Sequence, residues 1–157
     1  MLQKRSSGFT LVEVIVVIFI IGLVTSMILI RTGGVRFQRN INLFAETFYS
    51  FLQVCQQQAI LQPAVIGVML QSETYQAYYW MNDAWVPLAR TDSFWAPRSI
   101  PKDIHLYIAS NSNPQIVIDA SGGMNAFELN ISYNGESPSY RIISSAAGLL
   151  TLQEAKH

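Results

Sequence analysis

The chain has 157 residues, half of them hydrophobic, and its 10 basic side chains balance 10 acidic ones. That length fits one domain, and a charged fraction of only 13% excludes a disordered, collagen-like or acidic-tail protein. A net charge of zero argues against a general nucleic-acid binder, yet the average hides a split: residues 9–30 hold 17 apolar residues in 22, and residues 31–157 hold 60 in 127.

A helix over residues 9–30 would be roughly 33 Å long, about the thickness of a bilayer's hydrocarbon core. Lys4 and Arg5 precede it, and the positive-inside tendency keeps such residues in the cytoplasm and sends residues 31–157 to the far side. A cleaved secretory signal has a shorter apolar region and a small-residue cleavage site, and no Ala-x-Ala-like site follows Ile30. A plain signal anchor is a further alternative, but it leaves Glu13 unexplained. A carboxylate at bilayer depth costs about 2.5 kcal/mol or more, and such residues usually have a specific partner. The bland alternative sets Glu13 at the headgroup level, where the positive end of the helix dipole favours it.

The run Gly8-Phe9-Thr10-Leu11-Val12-Glu13, with a basic leader before it and an apolar stretch after it, resembles the class III signal of type IV pilins and type II secretion pseudopilins. The resemblance implies that prepilin peptidase cuts after Gly8 and N-methylates Phe9. It also implies that the Glu13 carboxylate pairs with the N-terminal amine of a neighbouring subunit, which offsets two charges costly in lipid. On this view residues 1–8 are a leader and 9–30 the transmembrane half of an N-terminal helix.

Residues 31–62 are expected to continue the helix. Phe37, Ile41, Phe44, Phe48, Phe51, Leu52, Cys55 and Ala59 share one helical face, with Arg36, Arg39, Asn40, Glu46, Gln53 and Gln57 on the others. Pro63 puts the end near Leu61 or Gln62, and Gly33-Gly34 is the weak point. Such a stripe suits a core face, the alternative being a partner-binding face. Cys55 is the single cysteine, so no intramolecular disulfide forms; its place on the apolar face predicts a buried thiol.

From residue 63 the rhythm changes to short runs rich in Ile, Val, Tyr and Phe. Strands are expected near 65–70, 75–80, 85–88, 104–109, 115–119, 127–133, 140–144 and 149–152. Turns fall at Asn82-Asp83, 111–114, 121–123, Asn134-Gly135 and Ala147-Gly148, with a longer loop expected after Asn134-Gly135. The segment 89–103 has no clean period and carries Phe94, Trp95, Pro97 and Pro101; it either covers the core or contacts a partner. The sum is an α+β chain whose β-rich head, residues 63–157, packs antiparallel strands, in two sheets, on the helix.

The helix, the strand at 65–70, the Tyr/Trp hairpin and the tail from Ile116-Val117-Ile118-Asp119-Ala120-Ser121-Gly122-Gly123 to Gly148-Leu149-Leu150-Thr151-Leu152 resemble the GspH/FimT family of type IV pilin-like proteins. Within it the likeness is to the H-type minor pseudopilins of type II secretion systems. The implied fold is a long helix on an antiparallel β-sandwich or sheet. The implied function is a structural subunit at the tip of a pseudopilus that helps export folded proteins across the outer membrane. Implied partners are prepilin peptidase, the I, J and K minor pseudopilins, the major pseudopilin and the inner-membrane assembly platform. The implied location is the inner membrane, single-pass, with the head in the periplasm before incorporation into the pseudopilus. FimT/FimU-like minor pilins of pilus assembly or DNA uptake are the alternative. With 7 basic against 9 acidic residues over 32–157, the head offers no footprint for nucleic acid.

No catalytic residue, cofactor or metal ligand is expected. Asp103 and His105 would share a strand face without an obvious nucleophile, and no metal spacing or phosphate loop occurs. The sequon Asn130-Ile131-Ser132 falls inside an expected strand, where chance explains it.

Overall fold

The computed structural model describes residues 11–88, 93–110, 112–145 and 148–155, with backbone alone for 24–38. The chain divides into two compact units, residues 1–39 and 40–157. One helix, α1 (Leu11–Leu61), contributes to both and runs unbroken through Gly33-Gly34. In the first unit every described side chain from Leu11 to Leu23 is exposed. Among the described residues no helix is long and apolar enough to cross a membrane; the apolar stretch 9–30 carries described side chains only over 11–23.

In the second unit α1 is amphipathic. Ile41, Phe44, Phe48, Phe51, Leu52, Cys55 and Ala59 are all buried, joined by Ala45, while Arg39, Asn40, Glu46, Gln53 and Gln57 are exposed. Phe37 and Arg36 belong to the residues with backbone alone. The helix stops where Pro63 lacks an amide hydrogen, after Gln62 N–H bonds to Gln58 C=O at 3.0 Å. Burying each Phe or Leu of this face contributes about 1.5–3 kcal/mol.

Among the described residues nine strands follow: β1 (Ile66–Leu70), β2 (Thr74–Met81), β3 (Ala84–Pro87), β4 (Arg98–Ser99), β5 (Ile104–Ile108), β6 (Ile116–Ile118), β7 (Phe127–Tyr133), β8 (Tyr140–Ser144) and β9 (Leu150–Glu154). The first sheet has the order β3-β2-β1-β6, with β4 also on β2; the second has β5-β7-β8-β9. Every pairing is antiparallel. Alternating residues point inward: Ile66 and Val68, Tyr75 and Ala77, Ile116 and Ile118, Leu129 and Ile131, Tyr140 and Ile142 join the helix face in one buried cluster.

The turns follow residue chemistry. Asn82 and Asp83 both take positive φ, 50° and 59°, as a two-residue hairpin loop between Met81 and Ala84 requires. Asn134 and Gly135 do the same at 47° and 75°, with Glu136 N–H on Tyr133 C=O at 2.8 Å. The chain then continues to β8 only at Tyr140, so this tight turn sits inside the longer loop that strand spacing predicts.

Segment 89–103 differs from the expectation of an irregular loop. Residues 89–92 lie outside the described residues, but Ser93–Trp95 form a 3₁₀ turn and Arg98–Ser99 form β4. Two residues are too few to show a period, and β4 exists because Thr74↔Ser99 and Tyr75↔Arg98 extend the edge of β2 beyond the reach of β3. The described part of the segment covers the core: Ile100 is buried and Trp95 packs against the cluster.

Candidate functional site

Gly8 and Phe9, the expected cleavage and methylation positions, lie outside the described residues. Glu13 is described. It sits in the first described turn of α1, exposed between Val12 and Val14 at 67% and 45% exposure. Among the described residues its carboxylate has no partner; the ion pair found there is Arg141 Nε to Glu128 Oε1 at 2.9 Å, on the surface of the head. A lone acid on an exposed apolar helix segment is the chemical condition for pairing with a cation from another molecule.

In the head, an aromatic cluster ties α1 to the first sheet. Tyr75 packs edge-on against Phe48 and Phe51, with ring centroids 4.8 and 5.0 Å apart, and Phe94 and Trp95 extend the cluster over Phe51 at 6.3 and 6.4 Å. Arg98 closes it, its guanidinium 4.5 Å from the Phe94 ring centroid and 5.2 Å from that of Phe51. Its Nε and Nη2 donate to the Phe94 carbonyl at 3.3 and 3.2 Å. Burial pushes the Tyr75 hydroxyl's pKa up, against the opposing pull of Arg98. The exposed side of this junction is a groove of about 330 Å³ lined in part by Leu43, Thr47, Phe51 and Arg98.

Cys55 is fully buried on the helix face, as the periodicity predicts. Burial raises its pKa to about 12, with the Arg98 charge acting in the opposite direction, so it is a thiol and not a nucleophile at neutral pH.

A second junction centres on Gln56. Its side-chain nitrogen donates to the carbonyls of Gly122 at 2.5 Å and Gly148 at 3.0 Å. Gly122 and Gly148 have φ of +84° and +76°, and a Cβ on Gly148 would stand 2.7 Å from the Gly122 oxygen. The Gly122 turn is built by Asp119, whose Oδ1 accepts from Ser121 N–H at 2.7 Å, Ser121 Oγ–H at 2.5 Å and Gly123 N–H at 3.0 Å. The Ser121 bonds hold the Asp119 carboxyl below its ordinary pKa.

The outer face of the first sheet carries Trp80 and Trp85, paired across β2 and β3 with ring centroids 5.0 Å apart. Trp85 lies over Gly67, where an added Cβ would come 2.7 Å from its ring and 2.4 Å from Pro114. Trp80 remains exposed there.

His105 is exposed on β5, and Asp103, just before the strand, accepts Asn134 N–H on its carbonyl at 2.8 Å. Asn130 of the sequon lies within β7 and accepts from Arg141 Nε at 3.2 Å. Sequence reasoning did not single out Arg98 or Gln56. Gln56 adjoins Cys55 at the border of the apolar face, but Gln53, Gln57 and Gln58 stand near it, and nothing in the sequence distinguishes the one that reaches two loops.

Comparison with known proteins accounts for both parts of the chain. Residues 3–29 match the prokaryotic N-terminal methylation motif, and residues 45–148 match the family of the type II transport protein GspH. The type II secretion system protein H of Pseudomonas aeruginosa is 28% identical over 150 residues, covering 85% of this chain and 87% of that protein. Its counterpart in Aeromonas hydrophila is 32% identical over 76 residues, 48% of this chain and 42% of that one. Among solved structures, the crystal structure of the minor pseudopilin EpsH from the type II secretion system of Vibrio cholerae superimposes with a TM-score of 0.64 at 19% identity, covering 73% of this chain and 94% of that one. The solution structure of Escherichia coli GspH gives 0.56 at 22% identity over 71% and 85% of the two chains. These two likenesses establish the α+β pilin-like fold.

Proposed function

The chain belongs to the GspH family of type II transport proteins, and on that premise we propose that it is a minor pseudopilin, a structural subunit near the tip of a type II secretion pseudopilus. The leader 1–8 is removed by prepilin peptidase after Gly8 and Phe9 is methylated, in keeping with the methylation motif matched over residues 3–29. The apolar segment 9–30 holds the chain in the inner membrane with the head in the periplasm, then packs among other subunits in the filament. The head makes the specific contacts, with the I, J and K minor pseudopilins and the major pseudopilin.

The observation that carries the reading is Glu13, a single exposed carboxylate in the apolar run Leu11 to Leu23 and four residues after Phe9. Once Gly8 is cut, the new amine of a neighbouring subunit supplies the cation that this carboxylate lacks, and pairing removes two costly charges from an apolar surrounding. Glu13 thereby sets the axial register of the subunit.

The test is Glu13→Val in the full chain, expressed in cells that lack the native copy. Processing at Gly8 should continue, because the cut precedes assembly, while secretion and incorporation into the pseudopilus fall severalfold or more. Secretion at the unmutated level would sink the role given to Glu13. Gly8→Ala should leave the chain at precursor size on a gel, whereas a plain anchor would show no change in size.

A further inference from the structure

The sheet edges of the head are treated unequally. A bare edge exposes unpaired backbone N–H and C=O groups and invites another strand. On β3 the outward positions are Trp85 and Pro87, as follows from the register and from Leu88 N–H bonding Ala77 C=O; proline offers no N–H. On β6 the amide of Asn125 covers the edge, its Oδ1 accepting from Val117 N–H at 2.7 Å and its Nδ2 donating to Gln115 C=O at 3.1 Å. Gln115 in turn pairs with both backbone groups of Leu70 at 3.0 and 3.2 Å, completing the ladder where β6 is too short. On β9, Tyr49 of α1 donates to Leu150 C=O at 3.2 Å, and Glu154 places a charge at the strand's end.

The edge of β5 has none of these devices. Asn134 N–H bonds Asp103 C=O, and the β5–β7 register then turns the peptide groups of Ile104, Leu106 and Ile108 away from β7. Ile104 N–H is taken by Pro101 C=O and Ile108 C=O by Ser110 N–H. This leaves Ile104 C=O, both groups of Leu106 and Ile108 N–H, for which no partner occurs among the described residues. The strand contains no proline and no Asp, Glu, Lys or Arg. Beside it lies a groove of about 410 Å³ in which Gln71, Ser72, His105, Ser110 and Gln115 alternate with apolar residues such as Leu70 and Ile100. Hydrogen-bonding side chains next to an open ladder suit an apolar helix or lipid poorly. They suit an extended polypeptide that brings its own donors and acceptors.

Resting on the subunit role proposed above, we propose that the β5 edge is the docking site for an extended, polar-faced segment of a neighbouring pseudopilin, which adds a strand to the second sheet through the main-chain groups of Leu106. Ile104, Leu106 and Ile108 supply the ladder, and Gln71, Ser72 and His105 select polar side chains on the incoming strand.

The experiment compares amide hydrogen exchange in the purified full chain in detergent, alone and mixed with the full-length I, J and K pseudopilins of the same system. In the complex, exchange at Leu106 and Ile108 should slow at least tenfold, while the already bonded His105 and Tyr107 change little. Formation of a complex with Leu106 and Ile108 exchanging as before would overturn the strand addition and leave the subunit role standing. Failure of the proteins to associate would count against the subunit role and the proposal together. Slowing in the isolated chain that rises with its concentration would identify a second copy as the occupant and overturn the assignment to a pseudopilin. Leu106→Pro removes the outward N–H together with a side chain packed against the core and should weaken the complex about tenfold, with Leu106→Val, which keeps the N–H, near unmutated affinity. If the proline variant unfolds, the exchange data decide alone.

Discussion

The side-chain amide of Gln56, on α1, donates to the Gly122 carbonyl at 2.5 Å. Gly122 lies on the connector that carries the chain from β6 in the first sheet to β7 in the second, and the same amide also reaches Gly148 in the β8–β9 hairpin at 3.0 Å. One side chain of the helix therefore fastens both the sheet crossing and a hairpin of the second sheet, and both glycines are buried.

Gln56→Ala should accordingly destabilise the head by roughly 2 kcal/mol, since removing one partner leaves buried acceptors unsatisfied. Equilibrium urea unfolding of the full chain, followed by tryptophan fluorescence, measures it. Gln53→Ala, at an exposed position on the same helix, should stay within about 0.5 kcal/mol of the unmutated chain. Equal effects from the two variants would remove the special place given to Gln56.

The Asp119 turn adds a pH dependence. Hydrogen bonds from Ser121 and Gly123 depress the carboxyl pKa below its ordinary value of 3.8 in the folded chain. A group depressed on folding stabilises the native state fully above its unfolded pKa, and the contribution disappears as pH falls through the folded one. The Ser121 and Gly123 amides should therefore hold constant exchange protection, corrected for intrinsic rates, from about pH 7 down to pH 5, and lose it only below the ordinary aspartate range. In Asp119→Ala that protection should be absent at every pH, and an acid limb that persists in the variant would exclude Asp119 as its source.

Cys55 offers a probe of the core. With its pKa raised to about 12 by burial, only about one thiol in ten thousand is ionised at pH 8 in the folded state. Ellman's reagent at that pH should modify the native chain at the rate of unfolding and the denatured chain at once. Rapid stoichiometric labelling under native conditions would contradict the burial of this helix face.

The helix face and most strands were legible because each rests on a period. Phe44, Phe48, Phe51, Leu52, Cys55 and Ala59 repeat at helical spacing, and all are buried. Strands β7 and β8 begin and end where alternation and turn residues predict, at Phe127–Tyr133 and Tyr140–Ser144. Strand β4 was not legible, because its two residues carry no period and pair only with an edge that the hairpin leaves open. Arg98 shows the same limit: a lone cation in an aperiodic stretch gives no hint that it will lie on the Phe94 ring.

What the sequence determined by itself was the plan of the chain: an apolar start with one acid at Glu13, an amphipathic helix stopped by Pro63, and a β-rich remainder. These are local properties, written in spacing and residue type. Tertiary structure alone decided which glutamine meets which carbonyl, that Asn125 seals one sheet edge, and that Leu106 leaves another open. Such facts depend on register between strands distant in the chain, and a one-residue shift in pairing would reverse them.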